Sequence, residues 1–106
     1  MNLTISYRHL DSTESLNEKI RSKVKHLKKY LGDNALIKWT CSVEGDRHTS
    51  EVHVHHKHQH YHAEATDKIL YNTFDKAIQK IDKQIRRKKS QIKDHIHRKQ
   101  LRDLPV

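Results

Sequence analysis

The chain of 106 residues has few residues that break or cross-link a backbone: one cysteine, one proline and two glycines. The single cysteine, Cys41, cannot form an internal disulfide, which fits a reducing cytoplasm. Two glycines leave no glycine-rich loop to cradle a nucleotide phosphate. No apolar run approaches the roughly 20 residues that span a bilayer, and the first residues lack the layout of a secretory signal. We therefore expect a cytoplasmic protein without a membrane partner.

Acidic residues are scarce in one part of the chain. Residues 76–102 contain 11 Lys and Arg but only two acids, Asp82 and Asp94. The remaining residues contain 11 of each kind, so the whole formal net charge of +9 lies in this C-terminal segment. A concentrated positive potential attracts polyanions. A nucleic acid is the first candidate for such a polyanion and an anionic membrane surface is the second; we favour the nucleic acid and expect no membrane partner.

Four segments alternate between apolar and polar residues, which is typical of strands with one buried face. Short connections favour an antiparallel meander for the last three. One connection passes through Gly45-Asp46, and another lies near residues 57–59. The predicted strands are residues 2–7, 35–44, 50–56 and 60–66.

Two further segments have the apolar spacing of amphipathic helices. The first follows Asp11-Ser12-Thr13-Glu14, which is typical of a helix start, and ends at Gly32. The second runs from about Asp67 to the high nineties; we expect it to pack on the sheet as far as about Ile85 and then to extend beyond it. The apolar positions are Leu16, Ile20, Val24, Leu27 and Leu31 in the first helix, and Leu70, Phe74, Ala77, Ile78, Ile81, Ile85, Ile92 and Ile96 in the second.

The resulting order, β-α-β-β-β-α, predicts an α+β fold in a single domain. A four-stranded sheet would carry two helices on one face and leave the other face polar, as antiparallel sheets commonly do. We assign residues 1–98 to this domain and residues 99–106 to a flexible C-terminal tail.

Six histidines lie within ten residues, from His53 to His62. Strand alternation directs His53, His55, His60 and His62 to the polar face, where cross-strand Cβ atoms lie about 4.5–5.5 Å apart. These four are weak candidates for zinc or nickel ligands. No cysteine accompanies them, and the sequence shows no residue that would orient the rings. We therefore predict no metal site and no cofactor, and favour a weakly basic surface that gains charge below about pH 6.5 and helps to hold RNA.

The cations of the second helix are the main candidate site. A helix of some 30 residues is about 45 Å long, so its cations could follow several phosphates of a folded RNA. Cys41 alternates inward as a structural thiol, and no acid pair has a partner for general acid–base work, so we predict that the protein is not an enzyme. The cations are Lys76, Lys80, Lys83, Arg86, Arg87 and Lys93 roughly opposite the apolar stripe, with Lys88 and Lys89 beyond the region expected to pack on the sheet.

Several short motifs follow one another over residues 1 to about 95. They are Thr13-Glu14-x-Leu16 with Lys23 and Leu27, His48-Thr49-Ser50, Leu70-Tyr71-x-x-Phe74-Asp75-x-x-Ile78, and then Lys80, Lys83, Gln84, Arg87 and Lys89. Taken together and in this order, they resemble the short ribosome hibernation-promoting factors, the family that includes the ribosome-associated translation inhibitor of stationary-phase bacteria.

The resemblance implies a fold like a double-stranded-RNA-binding domain. It also implies binding to the small ribosomal subunit near the decoding and tRNA sites, and inhibition of translation in stationary phase or stress. Long members carry a further dimerisation domain, so a short form that joins ribosomes would need a helper factor. The ribosomal-RNA contacts that the resemblance implies are Lys23, Lys80, Lys83, Arg87, Lys89 and Lys93, to which charge alone adds Arg86 and Lys88.

Two other functions stay open from the sequence. One is a generic double-stranded-RNA-binding protein, although such domains usually begin with a helix and carry their cationic cluster at the start of the last helix. Here the chain begins with a strand, and the cluster at residues 86–89 lies far along the helix. The other, less favoured, is a histidine-rich metal-binding protein.

Overall fold

A computed structural model describes the backbone of residues 1–102 and the side chains of residues 1–91. One sheet of four strands, in the order β1-β2-β3-β4, carries the helices. The predicted α+β fold is confirmed. The strands are β1 (Asn2–Arg8), β2 (Ala35–Glu44), β3 (Arg47–His56) and β4 (Gln59–Asp67), and the helices are α1 (Glu14–Lys25), α2 (Lys28–Leu31) and α3 (Leu70–Arg102).

The strands β2, β3 and β4 form the antiparallel meander that the short connections predicted. A two-residue turn at Gly45-Asp46 joins β2 to β3, and Glu44 pairs with Arg47 across it. Gly45 has a φ of 62°, the left-handed conformation that glycine adopts at the first position of such a turn. Because pairing begins directly after the turn, β3 starts at Arg47, three residues before the predicted start.

The first strand, β1, lies at one edge of the sheet and pairs in parallel with β2. A parallel neighbour requires a crossover connection, and α1 with α2 supplies it. The Tyr7 hydroxyl donates to Asn17 Oδ1 at 2.7 Å, which ties this strand to α1. The predicted start of α1 is confirmed, since Thr13 Oγ1 accepts a hydrogen bond from the Leu16 backbone N–H at 3.1 Å.

The apolar spacing predicted one continuous helix as far as Leu31, but the structure divides it into α1 and α2. At the junction the backbone N–H groups of His26 and Leu27 donate to carbonyl oxygens three residues earlier, at 3.2 and 2.9 Å. This tighter winding, typical of helix ends, keeps both Leu27 and Leu31 buried. Gly32, with a φ of 63°, ends α2 as expected.

The core lies between the helices and one face of the sheet. Trp39 of β2 meets Phe74 of α3 edge to face, with ring centroids 5.7 Å apart, a favoured aromatic geometry. Two buried polar residues join the same contact: Ser50 Oγ accepts from Trp39 Nε1 at 3.2 Å and lies 2.7 Å from Thr73 Oγ1. Because Thr73 donates its proton to the Leu70 carbonyl, Ser50 is the donor to Thr73. This satisfied network sets how α3 lies on the sheet.

The helix α3 packs on β3 and β4 and is buried as far as Ile85, as predicted. Residues 89–91 are exposed, and the molecule measures 64 × 25 × 18 Å, so the helix extends beyond the sheet. The helix continues through residues 99–102; the rest of the predicted tail, residues 103–106, lies outside the described residues. Within those residues, no helix is both long enough and apolar enough to cross a membrane.

The start of α3 is organised by Asp67, which the sequence placed at the beginning of the helix and the structure places at the end of β4. One carboxylate oxygen accepts from the Ile69 backbone N–H at 2.9 Å, and the other accepts from Lys76 Nζ at 2.6 Å. The bond from Lys76 has the larger effect and the bond from Ile69 the smaller, and together they lower the pKa of Asp67 to about 2. The backbone of Asp67 pairs with His48 and so belongs to β4, and the helix begins only at Leu70.

We expect Asp67→Ala to lower the melting temperature at neutral pH, because it removes both bonds. Asp67→Asn, the matched control, keeps an acceptor for the Ile69 N–H and loses the ion pair. The folded pKa of about 2 lies below the ordinary value of 3.8, so the carboxylate stabilises the fold fully above about pH 4 and less as the pH falls towards 2. Thermal unfolding across this range should show the wild type losing its advantage over Asp67→Asn; a constant difference would contradict the ion-pair assignment.

Candidate nucleic-acid interface

Four cations form a row along the solvent side of α3, and we call Lys76, Lys80, Lys83 and Arg87 the basic stripe. They follow one another at spacings of four, three and four residues, so at about 100° per residue they fall within an arc of roughly 60°. All four are exposed, and the row is about 16 Å long. Lys76, Lys80 and Lys83 line a shallow depression together with Gln79.

Two residues of the basic stripe, Lys76 and Lys80, contact other parts of the protein. Lys76 pairs with Asp67, and Lys80 Nζ donates to the Glu64 backbone carbonyl at 2.6 Å, which leaves the charge of Lys80 uncompensated. Among the described residues, Lys83 and Arg87 have neither a carboxylate partner nor a hydrogen-bonded one. These two residues are therefore the cations most available to a polyanion.

The side of α3 that faces α1 carries two carboxylates, and these form ion pairs that the sequence did not predict. Lys23 of α1 meets Asp75 of α3 at 2.6 Å. Arg86 Nε donates to Asp82 Oδ2 at 3.1 Å, one turn along the helix, and His26 Nε2 lies 3.7 Å from the other oxygen of Asp82. Two of the predicted contact residues, Lys23 and Arg86, are thus ion-paired in the structure.

The remaining predicted contacts lie towards the far part of α3. Lys88 is half-buried. Lys89 Nζ donates to the Tyr30 backbone carbonyl at 3.2 Å and lies 5.2 Å from the centre of the Tyr30 ring, a cation–π distance. Lys89 therefore also holds α3 against α2. The side chain of Lys93 lies outside the described residues.

The position of the basic stripe depends on a contact between α3 and the edge strand β4. The Gln84 side-chain amide accepts from the His62 backbone N–H at 3.2 Å and donates to the His62 carbonyl at 2.5 Å. An open edge normally exposes such groups to other strands. Gln84 belongs to one of the family motifs, but its role could not be predicted from the sequence. Helix periodicity does not show that this side of α3 lies over a sheet edge.

The predicted histidine surface is present, on the sheet face opposite the helices. His53 of β3 pairs with His62 of β4, and His55 pairs with His60; the rings stack with centroids 4.4 Å apart in both pairs. The structure adds Glu51, which approaches both His53 and His62. The histidine surface and the basic stripe therefore lie on different sides of the molecule.

Cys41 is fully buried, as predicted. Burial raises the pKa of its thiol to about 11, and the polar side chains of Ser50 and Trp39 beside it oppose this rise only in part. The thiolate is the nucleophilic form of cysteine, so Cys41 is unreactive at neutral pH and packs as a core residue.

Residues 3–93 match the family described as sigma 54 modulation protein / S30EA ribosomal protein. The chain belongs to this family. It is 28% identical over 95 residues to proteins named ribosome hibernation promoting factor from Escherichia coli K12 and Salmonella typhimurium LT2, an alignment that covers 90% of this chain and 100% of each relative. The family resemblance seen in the motifs is confirmed.

Solved structures share this fold. The N-terminal domain of Protein Y from Thermus thermophilus superposes with a TM-score of 0.76 at 23% identity, covering 82% of this chain and 98% of that domain. A ribosomal subunit interface protein from Coxiella burnetii gives the same TM-score at 17% identity, covering 85% of this chain and 99% of its own. At these identities the likeness concerns the fold alone, and it supports the four-stranded α+β architecture.

Proposed function

We propose that this protein binds the small ribosomal subunit near the decoding and tRNA sites and inhibits translation there, in stationary phase or stress. The observation that carries the proposal is a pair of exposed cations, Lys83 and Arg87, that have no carboxylate partner among the residues with described side chains and lie on a long helix anchored to a compact body. The chain's relatives are named ribosome hibernation promoting factors, and a ribosomal-RNA surface is the polyanion that this name suggests. Because ribosomes work in the cytoplasm, the proposed function also implies that the protein acts there.

The mechanism is steric occlusion by a rigid domain, with no covalent step and no cofactor. Phosphate contacts fix position but carry little sequence information, so the shape of the folded RNA supplies the specificity. If the short chain also promotes ribosome dimers, a helper factor supplies the second contact. The proposed ribosomal-RNA contacts are Lys23, Lys80, Lys83, Arg86, Arg87, Lys88, Lys89 and Lys93.

The ion pairs of Lys23 and Arg86 are compatible with this role. Exposed ion pairs contribute about 0–1 kcal/mol, and Asp75 is 57% exposed, so a phosphate can replace it as the partner of Lys23. Arg86 uses Nε for Asp82 and keeps its terminal amino groups, because a guanidinium has five donors. Both residues can therefore contribute to an interface once RNA approaches.

Co-sedimentation with purified ribosomal subunits tests the proposal. At low salt we expect saturable binding of one protein per small subunit, little binding to large subunits, and weaker binding when messenger RNA and tRNA occupy the decoding site. Equal binding to both subunits, or binding that is indifferent to bound tRNA, would contradict the proposed position.

Competition with a free RNA duplex distinguishes this function from generic double-stranded-RNA binding. Small subunits present a defined folded surface, so an excess of duplex should displace the protein only weakly. A duplex that competes as well as unlabelled small subunits do would favour the generic function instead.

A further inference from the structure

The exposed face of the sheet carries a cluster that ribosome binding does not explain: Glu51 and His53 on β3, and His62 directly opposite on β4. One donor atom from each of the three residues lies within 4.8 Å of the other two. We infer that Glu51, His53 and His62 form a Zn²⁺-binding site that bridges the two strands. This site is separate from the basic stripe and does not depend on the proposed function.

Two of the donor-atom distances are close to those of a tetrahedral zinc site. Glu51 Oε1 lies 3.1 Å from His53 Nε2, and Glu51 Oε2 lies 3.7 Å from His62 Nε2. Atoms that share a tetrahedral Zn²⁺ at about 2.0–2.1 Å lie roughly 3.3 Å from one another. The two imidazoles stack with their ring planes 27° apart, and both Nε2 atoms lie beside the same carboxylate.

A second histidine orients the first ligand, although the sequence showed no such residue. His53 Nδ1 lies 3.1 Å from His60 Nε2. With Nε2 of His53 on the metal, its Nδ1–H donates to His60, the outer hydrogen bond that metal-bound histidines usually make. His60 is therefore a positioning residue, and its stacking on His55, with centroids 4.4 Å apart, holds its ring in place.

The backbone beneath the cluster is already ordered before a metal binds. His53 and His62 are paired in the sheet, and the Gln84 amide holds both backbone polar groups of His62. Binding therefore orders three side chains on a fixed support, which reduces the entropic cost of assembling the site.

The donor set identifies the class of metal. Two imidazole nitrogens and one carboxylate form a set that suits Zn²⁺, whereas Mg²⁺ and Ca²⁺ prefer oxygen ligands alone. Three protein ligands leave the fourth tetrahedral position to water or to a donor from outside the chain.

Zinc titration of the untagged, metal-free protein in competition with a chromophoric chelator tests the site. We expect one Zn²⁺ per chain. Replacing a ligand, as in His53→Ala or His62→Ala, should lower the zinc affinity at least about 100-fold, which is more than the loss of a residue that only hydrogen-bonds to a ligand. His60→Ala should cost roughly 10–100-fold, and His60→Gln, which keeps an acceptor for His53, should recover part of it. Zinc should also raise the melting temperature of the wild type, but not of His53→Ala.

The matched control is the double variant His56→Ala/His58→Ala, which removes two histidines of the same hairpin outside the cluster. It should bind Zn²⁺ as the wild type does; an equal loss in this control and in His62→Ala would show non-specific histidine binding and overturn the site. X-ray absorption of the zinc-loaded wild type gives a readout independent of any variant. Two imidazoles in the coordination shell support the site, and a shell of water oxygens alone refutes it.

Discussion

Replacing Lys83 and Arg87 with glutamate is expected to weaken binding to the small ribosomal subunit by at least about 100-fold. Each charged hydrogen bond to a phosphate contributes about 1.5–3 kcal/mol, and a factor of 100 corresponds to about 2.7 kcal/mol. Both side chains are exposed and unpaired among the described residues, so the variant should fold normally. Its circular dichroism and melting temperature should match those of the wild type, while inhibition of translation is lost.

The matched control carries the same change in net charge elsewhere. Lys38→Glu/Lys57→Glu alters two exposed cations, one on the outer sheet face and one in the turn between β3 and β4. It should bind within a few-fold of the wild type, because long-range attraction alone is screened over about 8–10 Å at ordinary salt. Lys89 is left unchanged in both variants because its contact with Tyr30 would confuse folding with binding. If the two variants bind equally well, the basic stripe is not the interface.

Raising the salt concentration from about 50 to 200 mM is expected to reduce the affinity for small subunits on the order of 10⁴-fold. The eight proposed contacts imply the release of several counterions, and six to ten phosphate contacts on B-DNA lose about 10³–10⁵ in affinity over this range. Binding curves across a salt series measure the effect as the slope of log K against log salt. A flat dependence would show that phosphate contacts do not hold the complex.

The slope also tests individual residues. Each phosphate contact that is removed should reduce it by about one, so Lys83→Glu/Arg87→Glu should reduce it by about two. The control variant Lys38→Glu/Lys57→Glu should leave the slope unchanged. A smaller affinity with an unchanged slope would indicate that the substitutions act through the fold and not through lost phosphate contacts.

Several features of the candidate site could be predicted from the sequence because they depend on helical spacing alone. The basic stripe follows from residues four and three apart on one helix, and its separation from the core follows from the opposite apolar stripe. The pairing of Lys23 with Asp75 could not be predicted in this way, since those residues are 52 positions apart and meet only when α1 packs against α3. The same holds for Lys89 and Tyr30.

The histidine cluster shows the same division. Strand alternation was enough to place His53 and His62 on one polar face. The alignment that puts them directly opposite each other, with Glu51 within reach of both, depends on where the turn at Lys57-His58 begins. A shift of one residue would turn the histidines of one strand to the other face, so the ligand geometry required the tertiary structure.

By itself, the sequence determined the α+β class, the apolar faces of the helices and strands, and the segment that holds the excess charge, because these depend on local periodicity and composition. Only the tertiary structure decided that β1 joins β2 in parallel, that α1 ends before Leu27, and which carboxylate pairs with Lys23. These features depend on contacts between residues far apart in the chain, and such contacts leave no periodic signal in the sequence.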